Sequence, residues 1–457
     1  MTFFPAEKIS QTEQSDFLQI TAKVEENELS VLVNGSFANG EHIEKCVSNG
    51  SDDELKLCQM TFKILSELTG IKPAWGLQTG VRPTKLLRMR VREFGLEKAL
   101  EIMRNDMLIS ESKLRLAYRT MRIEDELLKV LKPNGYSLYV SIPFCKSRCS
   151  YCSFVSHDIT KSKKLMPEYV ELLCKEIEHT LKIANSLGLT LQTVYFGGGT
   201  PTALDDGQLA KIDRAIRANV DMSGVLEYTV EAGRPDTITA EKLAEIKSMG
   251  ANRISINPQT LNDEVLQKIG RAHTVEQFYD SFNLARSMGF DNINTDLIAG
   301  LSGETVESFK NTVDEIIKLS PECVTVHTLS VKRSSSDMYR GESRFRAVAD
   351  DVSEMVDYSR NRLENEQYNP YYMYRQSRQA ANLENVGWSK SGYESLYNML
   401  IMEEMQTILA VGAGASTKVV NGEQIDRIFN YKYPYEYIRD FDEMLNRKNI
   451  LKEMIKY

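Results

Sequence analysis

Hydrophobic and polar positions alternate along the chain with two periods, one typical of strands and one of helices. Residues 17–33 alternate in a way that predicts two strands joined by a turn. Residues 51–70 carry an apolar stripe between an N-cap serine and a glycine, which predicts a helix. The pattern over 83–131 predicts further helices. We therefore expect an N-terminal α+β extension over residues 1–130.

The pattern then changes to short apolar strands separated by amphipathic helices, at intervals of roughly 30 residues. Six strands are predicted, over residues 137–144, 191–196, 226–232, 252–258, 290–300 and 322–329. Alternation of this kind produces right-handed βαβ units in a parallel sheet, with the functional site at the carboxyl ends of the strands. We predict an α/β fold: a partial (β/α)6 barrel over residues 136–335, covered by a mixed C-terminal unit over residues 336–457.

The composition is that of a soluble globular protein, with 42% hydrophobic and 26% charged residues. The formal net charge of −8 argues against a nucleic-acid partner, because a phosphate backbone selects a basic surface. The N-terminus does not resemble a signal peptide, and we expect no membrane span. We therefore expect a cytoplasmic protein, in which clustered cysteines bind metals or act in catalysis rather than form disulfides.

Three of the seven cysteines, Cys145, Cys149 and Cys152, stand together in FCKSRCSYCSF (144–154). They follow the first predicted barrel strand, in the loop at its carboxyl end. A closed zinc site needs four ligands, and His157 would have to supply the fourth. Three thiolates that hold an iron–sulfur cluster leave one iron open to a substrate or cofactor. The cysteines alone leave both alternatives open.

Other candidate residues follow the later strands. YFGGGTPT (195–202) places three glycines after the second strand, where backbone amides approach a ligand without obstruction by a Cβ atom. Glu231 is a lone acid in the apolar run YTVEAG near the end of the third strand, and Gln259 lies beyond the end of the fourth. Asp296, among apolar residues of the fifth strand, would be costly to bury without a partner, for which Arg271 is the candidate.

The C-x₃-C-x₂-C spacing, with Tyr151 before the last cysteine, resembles the signature of radical S-adenosylmethionine (SAM) enzymes. LYVSIPFC, GGGTPT, VEAGRPDTIT, NRISINPQTLNDEVLQKIGRAHT and NTDLIAGLSGET are together very similar to the oxygen-independent coproporphyrinogen III oxidases and their relatives, which include haem chaperones. The N-terminal WGLQTGVRPTKLLR (75–88) resembles the extension of the HemZ-type coproporphyrinogen dehydrogenases. The resemblance is strong over residues 136–330.

This resemblance implies a [4Fe–4S] cluster on the three cysteines, with SAM bound to the open iron and cleaved to a 5′-deoxyadenosyl radical. It implies an oxidoreductase that converts the propionates of coproporphyrinogen III to vinyl groups without oxygen. Its partners would be the porphyrinogen and a flavodoxin- or ferredoxin-like electron donor.

The resemblance also implies roles for individual residues. Tyr139, Gly198 and Glu231 match contacts to the SAM molecule on the cluster. Contacts to a second SAM molecule are matched by Gly199, Thr200, Gln259, Arg271 and Asp296. The backbone of GAGAS (412–416) matches a further C-terminal contact. Tyr151 stands where phenylalanine is usual, beside the third cysteine.

Two positions depart from the oxidase pattern. Ser153 stands where the oxidases have a fourth cysteine, and Ser141 where they have a histidine. The chaperones share the first departure and carry a histidine–asparagine–tryptophan haem motif. LENVGWSKSG (383–392) keeps Asn385 and Trp388 of that motif without the histidine. The residues favour the dehydrogenase, and a haem chaperone or an anaerobic haem-modifying protein is the alternative.

Overall fold

The computed structural model describes residues 17–25, 27–48, 50–154, 156–330, 344–376 and 379–455. The chain divides into two compact units. The first consists of residues 1–122, 340–353 and 373–384, and the second of residues 123–339, 354–372 and 385–457. The division of the sequence into segments 1–130, 136–335 and 336–457 stays a prediction.

The N-terminal elements form an antiparallel sheet and helices. They are β1 (Gln19–Glu25), β2 (Glu28–Asn34), β3 (His42–Val47), α1 (Asp53–Thr69), α2 (Pro83–Phe94), α3 (Leu96–Asn105) and α4 (Glu111–Leu127). The sheet order is β1-β2-β3, and α1 packs on it by placing Phe62 and Leu65 against Val31 and Val33. The two predicted strands and the helix over residues 51–70 are confirmed. Strand β3 was missed because none of its residues is fully buried.

A buried ion pair ties a late segment of the chain into the first unit. The Lys113 ammonium lies 2.6 Å from one carboxylate oxygen of Glu384, and both side chains are almost fully buried. The indole N–H of Trp75 donates to the other oxygen at 2.7 Å. Burial raises the pKa of Glu384, but the nearby Lys113 outweighs it and holds that pKa below its usual range. Breaking such a pair would leave a buried charge without compensation.

The barrel elements follow. They are β4 (Gly135–Ile142), β5 (Phe144–Cys145), β6 (His157–Asp158), α5 (Ile159–Ser162), α6 (Met166–Ser186), β7 (Thr190–Gly198), α7 (Gln208–Arg217), β8 (Glu227–Glu231), α8 (Ala240–Ser248), β9 (Arg253–Ser255), α9 (Asp263–Lys268), α10 (Val275–Ser287), β10 (Ile293–Ala299), α11 (Val306–Leu319) and β11 (Cys323–Thr328).

The C-terminal elements complete the chain. They are α12 (Arg344–Asn365), β12 (Asn369–Arg375), β13 (Glu384–Ser389), α13 (Leu396–Glu403), β14 (Thr407–Val411), β15 (Ser416–Asn421), β16 (Gln424–Phe429), α14 (Pro434–Arg439), α15 (Phe441–Lys448) and α16 (Leu451–Met454).

The predicted barrel strands are β4, β7, β8, β9, β10 and β11, and each pairs in parallel with the next. Within the described residues the full sheet order is β12-β13-β11-β10-β9-β8-β7-β4-β14-β15-β16. Across these described strands the sheet does not close on itself. The predicted α/β fold with a partial (β/α)6 barrel is therefore confirmed.

C-terminal strands extend both edges of the six-stranded core. Strand β14 lies parallel to β4, with Leu409 opposite Leu138. At the other edge β13 lies antiparallel to β11, with Trp388 opposite Val324. These strands satisfy backbone groups that an open edge would leave unpaired. No helix of the described ranges is long and apolar enough to cross a membrane.

A fully buried ion pair joins the barrel to its C-terminal helices. Glu176 of α6 and Lys448 of α15 lie 3.3 Å apart, and both side chains are 0% exposed. The Glu176 carboxylate also accepts bonds from the Tyr437 hydroxyl at 2.7 Å, the Asn430 amide at 2.7 Å and the backbone N–H of Gly412 at 2.8 Å. Burial lowers the pKa of Lys448, although Glu176 opposes that shift. The pair therefore fixes the start of the 412–416 segment.

Replacing Lys448 with methionine should lower the free energy of unfolding by about 3–5 kcal/mol, because it removes the ion-pair partner of the buried Glu176 side chain. Denaturant unfolding monitored by circular dichroism measures this loss. Lys182→Met is a control on α6, the helix that carries Glu176. It breaks the largely exposed pair with Glu178 and should leave the unfolding midpoint unchanged. Equal losses in the two variants would contradict the role assigned to the buried pair.

Candidate functional site

The three clustered cysteines lie in one segment at the carboxyl end of β4. Cys145 is 8% exposed, Cys149 is 7% exposed and Cys152 is half-buried. Burial is the main cause that raises the pKa of the Cys152 thiol, and the other two thiols are close enough to raise it further. The Thr200 hydroxyl donates to Cys145 Sγ at 3.4 Å. The glycine-rich segment after β7 therefore contacts the cysteine loop directly.

The sulfur ligands of the cysteine loop suit an iron–sulfur cluster. Among the described residues, no group of three or more His, Cys, Asp or Glu side chains is arranged to hold one metal ion. His157, the fourth ligand of the zinc alternative, packs edge-on against Tyr433 and Tyr435, with ring centroids 5.8 and 6.1 Å away. Thiolates that hold an iron–sulfur cluster each bind a different iron, and sulfur ligands suit such clusters.

The glycine segment lies too close to the cysteine loop for any side chain. A Cβ atom on Gly199 would lie 2.7 Å from the Phe144 carbonyl oxygen and 2.8 Å from that of Ile142. The Gly199 N–H donates to the Ile142 carbonyl at 2.8 Å. Gly198 has a φ of +103°, which L side chains rarely adopt. Glycine is required at these positions for the two loops to meet.

Three tyrosines form a stack beside the predicted SAM contacts. Tyr195 stacks on Tyr397 with ring centroids 4.2 Å apart, and Tyr139 lies 6.2 Å from Tyr195 and 6.1 Å from Tyr397. The Tyr195 hydroxyl donates to the Glu231 carboxylate at 2.6 Å. The predicted residues Tyr139 and Glu231 thus belong to one largely buried cluster, in which Tyr195 and Tyr397 were not predicted.

Glu231 titrates near neutral pH. Burial raises its pKa to about 7, while the bond from Tyr195 acts in the opposite direction. The ionised carboxylate is purely an acceptor of hydrogen bonds, whereas the protonated group donates one, so its capacity to bind ligand hydroxyl groups changes around neutrality.

Asp296 lies in the middle of β10, in a polar group with residues on or just beyond β9, β10 and β11. Its carboxylate accepts bonds from the amides of Asn257 and Asn294, each at 2.8 Å, and lies 3.9 Å from the His327 ring. Burial raises the pKa of Asp296, but the nearby His327 and the hydrogen bonds from its other neighbours outweigh burial and lower that pKa overall. Asp296 is therefore an ionised acceptor at the site.

Arg271 does not form the direct pair with Asp296 that the sequence suggested. Its guanidinium donates to the Tyr151 hydroxyl at 3.3 Å and to the carbonyl oxygens of Gly233 and Asn257, each at 3.0 Å. Asn257 in turn donates to Asp296. The side-chain amide of Asn257 therefore binds Asp296 in place of the predicted arginine. The Arg271 guanidinium is already bonded to backbone carbonyl oxygens.

Backbone hydrogen bonds hold Gln259 in an unusual conformation. Its φ of +71° lies in the left-handed region, which is uncommon for a residue other than glycine. Its N–H donates to the Asp296 carbonyl, and its own carbonyl accepts from Ile298, both at 3.0 Å. The strained backbone is therefore fixed by β10, at the same end of the barrel as Asp296.

The 412–416 segment is tied to β4 through the serine that departs from the oxidase pattern. The Ser141 hydroxyl donates to the Ala413 carbonyl at 2.8 Å. The Ala413 N–H donates to the Tyr169 hydroxyl at 2.9 Å, which donates to the Ser141 carbonyl at 2.9 Å. Ser141 is therefore used to hold this segment against the first barrel strand.

The predicted site residues lie on the barrel strands or the loops that follow them, apart from Arg271, which lies between α9 and α10. Sequence reasoning missed Asn257, His327, Tyr397 and Arg234. Arg234 carried a usable signal, since it stands in VEAGRPDTIT only three residues after Glu231. Tyr397 carried none, because it reaches the site from α13, far along the chain.

Comparisons with known proteins agree with this geometry. The model of the radical SAM superfamily matches residues 139–316. The oxygen-independent coproporphyrinogen-III oxidase-like protein HemZ of Bacillus subtilis is 38% identical over 394 residues, which cover 84% of this chain and 78% of that protein. The chain belongs to this oxidase-like family of radical SAM proteins. The heme chaperone HemW of Bacillus subtilis is also similar, at 32% identity over 70% of this chain and 82% of HemW.

The solved structure of the coproporphyrinogen III oxidase HemN from Escherichia coli shares the fold of this radical SAM protein. It aligns with a TM-score of 0.55 and 22% identity, over 73% of this chain and 80% of HemN. Membership of the superfamily implies a radical SAM enzyme with a [4Fe–4S] cluster and SAM as cofactors. The buried thiols and the glycine segment beside them fit these groups.

If Glu231 binds the SAM ribose, SAM affinity should fall as the pH drops through about 7, where the carboxylate takes up a proton. Tyr195→Phe removes a donor that stabilises the carboxylate, so the loss of affinity should begin at higher pH. Calorimetric titration of the cluster-loaded protein with SAM across neutral pH measures both effects. The control is Tyr397→Phe, which removes a hydroxyl from the same stack without removing a hydrogen bond to Glu231. A pH profile of Tyr195→Phe identical to that of the wild type would contradict this interpretation.

Proposed function

We propose that this radical SAM protein catalyses the oxygen-independent oxidative decarboxylation of coproporphyrinogen III, converting propionate side chains to vinyl groups on the way to protoporphyrinogen IX. Each conversion removes one hydrogen atom, one electron and one carbon dioxide from a propionate. The observation that carries the proposal is the position of Arg271. Its guanidinium joins Tyr151, inside the cysteine loop, to Asn257, which binds Asp296.

Arg271 therefore connects two sets of residues that the oxidase pattern assigns to one site. The first set is the cysteine loop. The second set consists of Gln259, Arg271 and Asp296, which match the second-SAM contacts. Because the contacts run through a single guanidinium, a ligand at Asp296 would lie close to whatever the cysteines bind. This proximity is what hydrogen abstraction from a substrate requires.

In this proposal Cys145, Cys149 and Cys152 hold the [4Fe–4S] cluster. When bound, the cluster and SAM supply a 5′-deoxyadenosyl radical. Gly198 leaves room for the methionyl group of SAM, and Glu231 accepts hydrogen bonds from its ribose.

The protein's own contribution is to position and enclose the reactants. The Tyr139–Tyr195–Tyr397 stack forms a buried aromatic wall that holds Glu231 in place. A second SAM molecule is bound at this end of the barrel by Gly199, Thr200, Gln259, Arg271 and Asp296. A buried site of this kind excludes water from a reactive radical.

The haem chaperone is the second candidate, because HemW is similar over most of its length. The remnant of the chaperone motif gives this candidate little support. Trp388 is 1% exposed, and Asn385 is 1% exposed with its side-chain oxygen bonded to the backbone N–H of Thr328 at 2.7 Å. Both residues are used in packing β13 against β11, so neither is presented to a haem.

The proposal includes a flavodoxin- or ferredoxin-like donor for the electron that SAM cleavage requires, and an acceptor for the electron that leaves the substrate. It also includes the cytoplasmic location expected from the sequence, where thiols remain available for cluster assembly.

Reconstituted protein incubated anaerobically with coproporphyrinogen III, SAM and a reductant should form vinyl-bearing porphyrinogen together with 5′-deoxyadenosine. Cys149→Ser should abolish both products, because it removes a cluster ligand. Cys58→Ser changes an exposed lone cysteine and should retain them. Chromatography with mass detection measures the products.

Formation of 5′-deoxyadenosine without any decarboxylated porphyrin would overturn the substrate assignment. Stoichiometric binding of haem and its transfer to an apo-protein, without porphyrinogen turnover, would favour the chaperone instead.

A further inference from the structure

We propose that Arg234 raises the reduction potential of the cluster by donating a hydrogen bond from its charged guanidinium to the Cys149 thiolate. This role concerns electron transfer into the site and does not depend on the substrate. It rests on the proposed function only in placing the cluster on the three cysteines.

Arg234 lies in the loop after β8 and reaches into the cysteine loop. Its guanidinium donates to Cys149 Sγ at 3.2 Å and to the Ser147 hydroxyl at 2.8 Å. It also donates to the Ser147 backbone carbonyl. Arg234 is 5% exposed and Cys149 is 7% exposed, so water screens this contact very little. The guanidinium is thereby fixed against the sulfur by three hydrogen bonds.

The charge of Arg234 has no carboxylate to balance it. In the described ranges of the chain, no Asp or Glu lies within ion-pair distance of its guanidinium. The nearby carboxylate of Asp236 faces Lys146 instead, with 3.3 Å between the charged atoms. A buried charge without an opposite charge is costly. A thiolate that belongs to a negatively charged cluster supplies the missing opposite charge.

The sign of the effect follows from electrostatics. One electron from a low-potential donor reduces the cluster, and no bond forms or breaks in this step. The reduced state is more negative by one charge, so a fixed positive charge at a ligand sulfur stabilises it more than the oxidised state. Hydrogen bonds to cluster sulfurs act in the same direction, and both are strengthened by burial. Arg234 therefore makes the cluster easier to reduce.

The neighbouring Lys146 provides a matched control. It carries the same charge and belongs to the same cysteine loop, but its side chain is 47% exposed and its ammonium faces Asp236. Lys146→Gln removes one positive charge near the cluster without removing a donor to sulfur. Comparing it with Arg234→Gln separates an effect of local contact from an effect of net charge.

The experiment is a redox titration of anaerobically reconstituted protein, with the reduced cluster followed by electron paramagnetic resonance. Arg234→Gln should lower the equilibrium constant for one-electron reduction about tenfold, which is a midpoint about 59 mV more negative. Arg234→Lys keeps the charge but loses the planar donor set, so its midpoint should lie between those of Arg234→Gln and the wild type. Lys146→Gln should have the midpoint of the wild type.

An unchanged midpoint in Arg234→Gln, or an equal shift in Lys146→Gln, would overturn the proposal. A folded Arg234→Lys protein that takes up no iron would also overturn it, because it would assign Arg234 to cluster assembly. Before titration, circular dichroism establishes that each variant is folded, and the iron and sulfide content establishes that it holds the cluster. The midpoint is read without any porphyrin, so failure of this inference is distinct from failure of the substrate assignment.

Discussion

The close approach of two backbones is the constraint on which the site depends. The glycine segment after β7 lies against the cysteine loop after β4, with Gly199 bonded to Ile142 and no room for a side chain. Parallel pairing of β4 and β7 brings these two loops to the same end of the sheet. Once they meet, Thr200 reaches Cys145, and the cysteine loop is enclosed on one side. The remaining contacts to that loop come from segments after β8 and α9.

Those later segments make the remaining contacts to the cysteine loop. Arg234 holds Ser147 and Cys149, while the Ser150 N–H donates to the Ile269 carbonyl at 2.9 Å. Arg271 then extends the contacts towards Asp296. Each segment follows a different strand or helix of the barrel, so the cysteines are positioned by most of the sheet rather than by their own loop.

The periodicity of the sequence was sufficient to predict the barrel, because buried parallel strands and amphipathic helices have distinct patterns. The cysteine spacing and the residues at strand ends likewise pointed to one end of the sheet. Partners that depend on side-chain direction were harder to predict. Arg271 binds backbone carbonyls and Tyr151 instead of Asp296, and no sequence pattern reports where carbonyl oxygens will point. Tyr397 and the β14 strand reach the site only through tertiary contacts.

The position of β14 has a consequence for the order of assembly. The first barrel strand, β4, gains its second neighbour from residues 407–411, near the end of the chain. The segment that follows β14 is also the one that Ser141 and Tyr169 hold against β4. During synthesis the cysteine loop would therefore emerge long before its supporting strand. Pairing of β14 with β4 would follow only after the other barrel strands have been made.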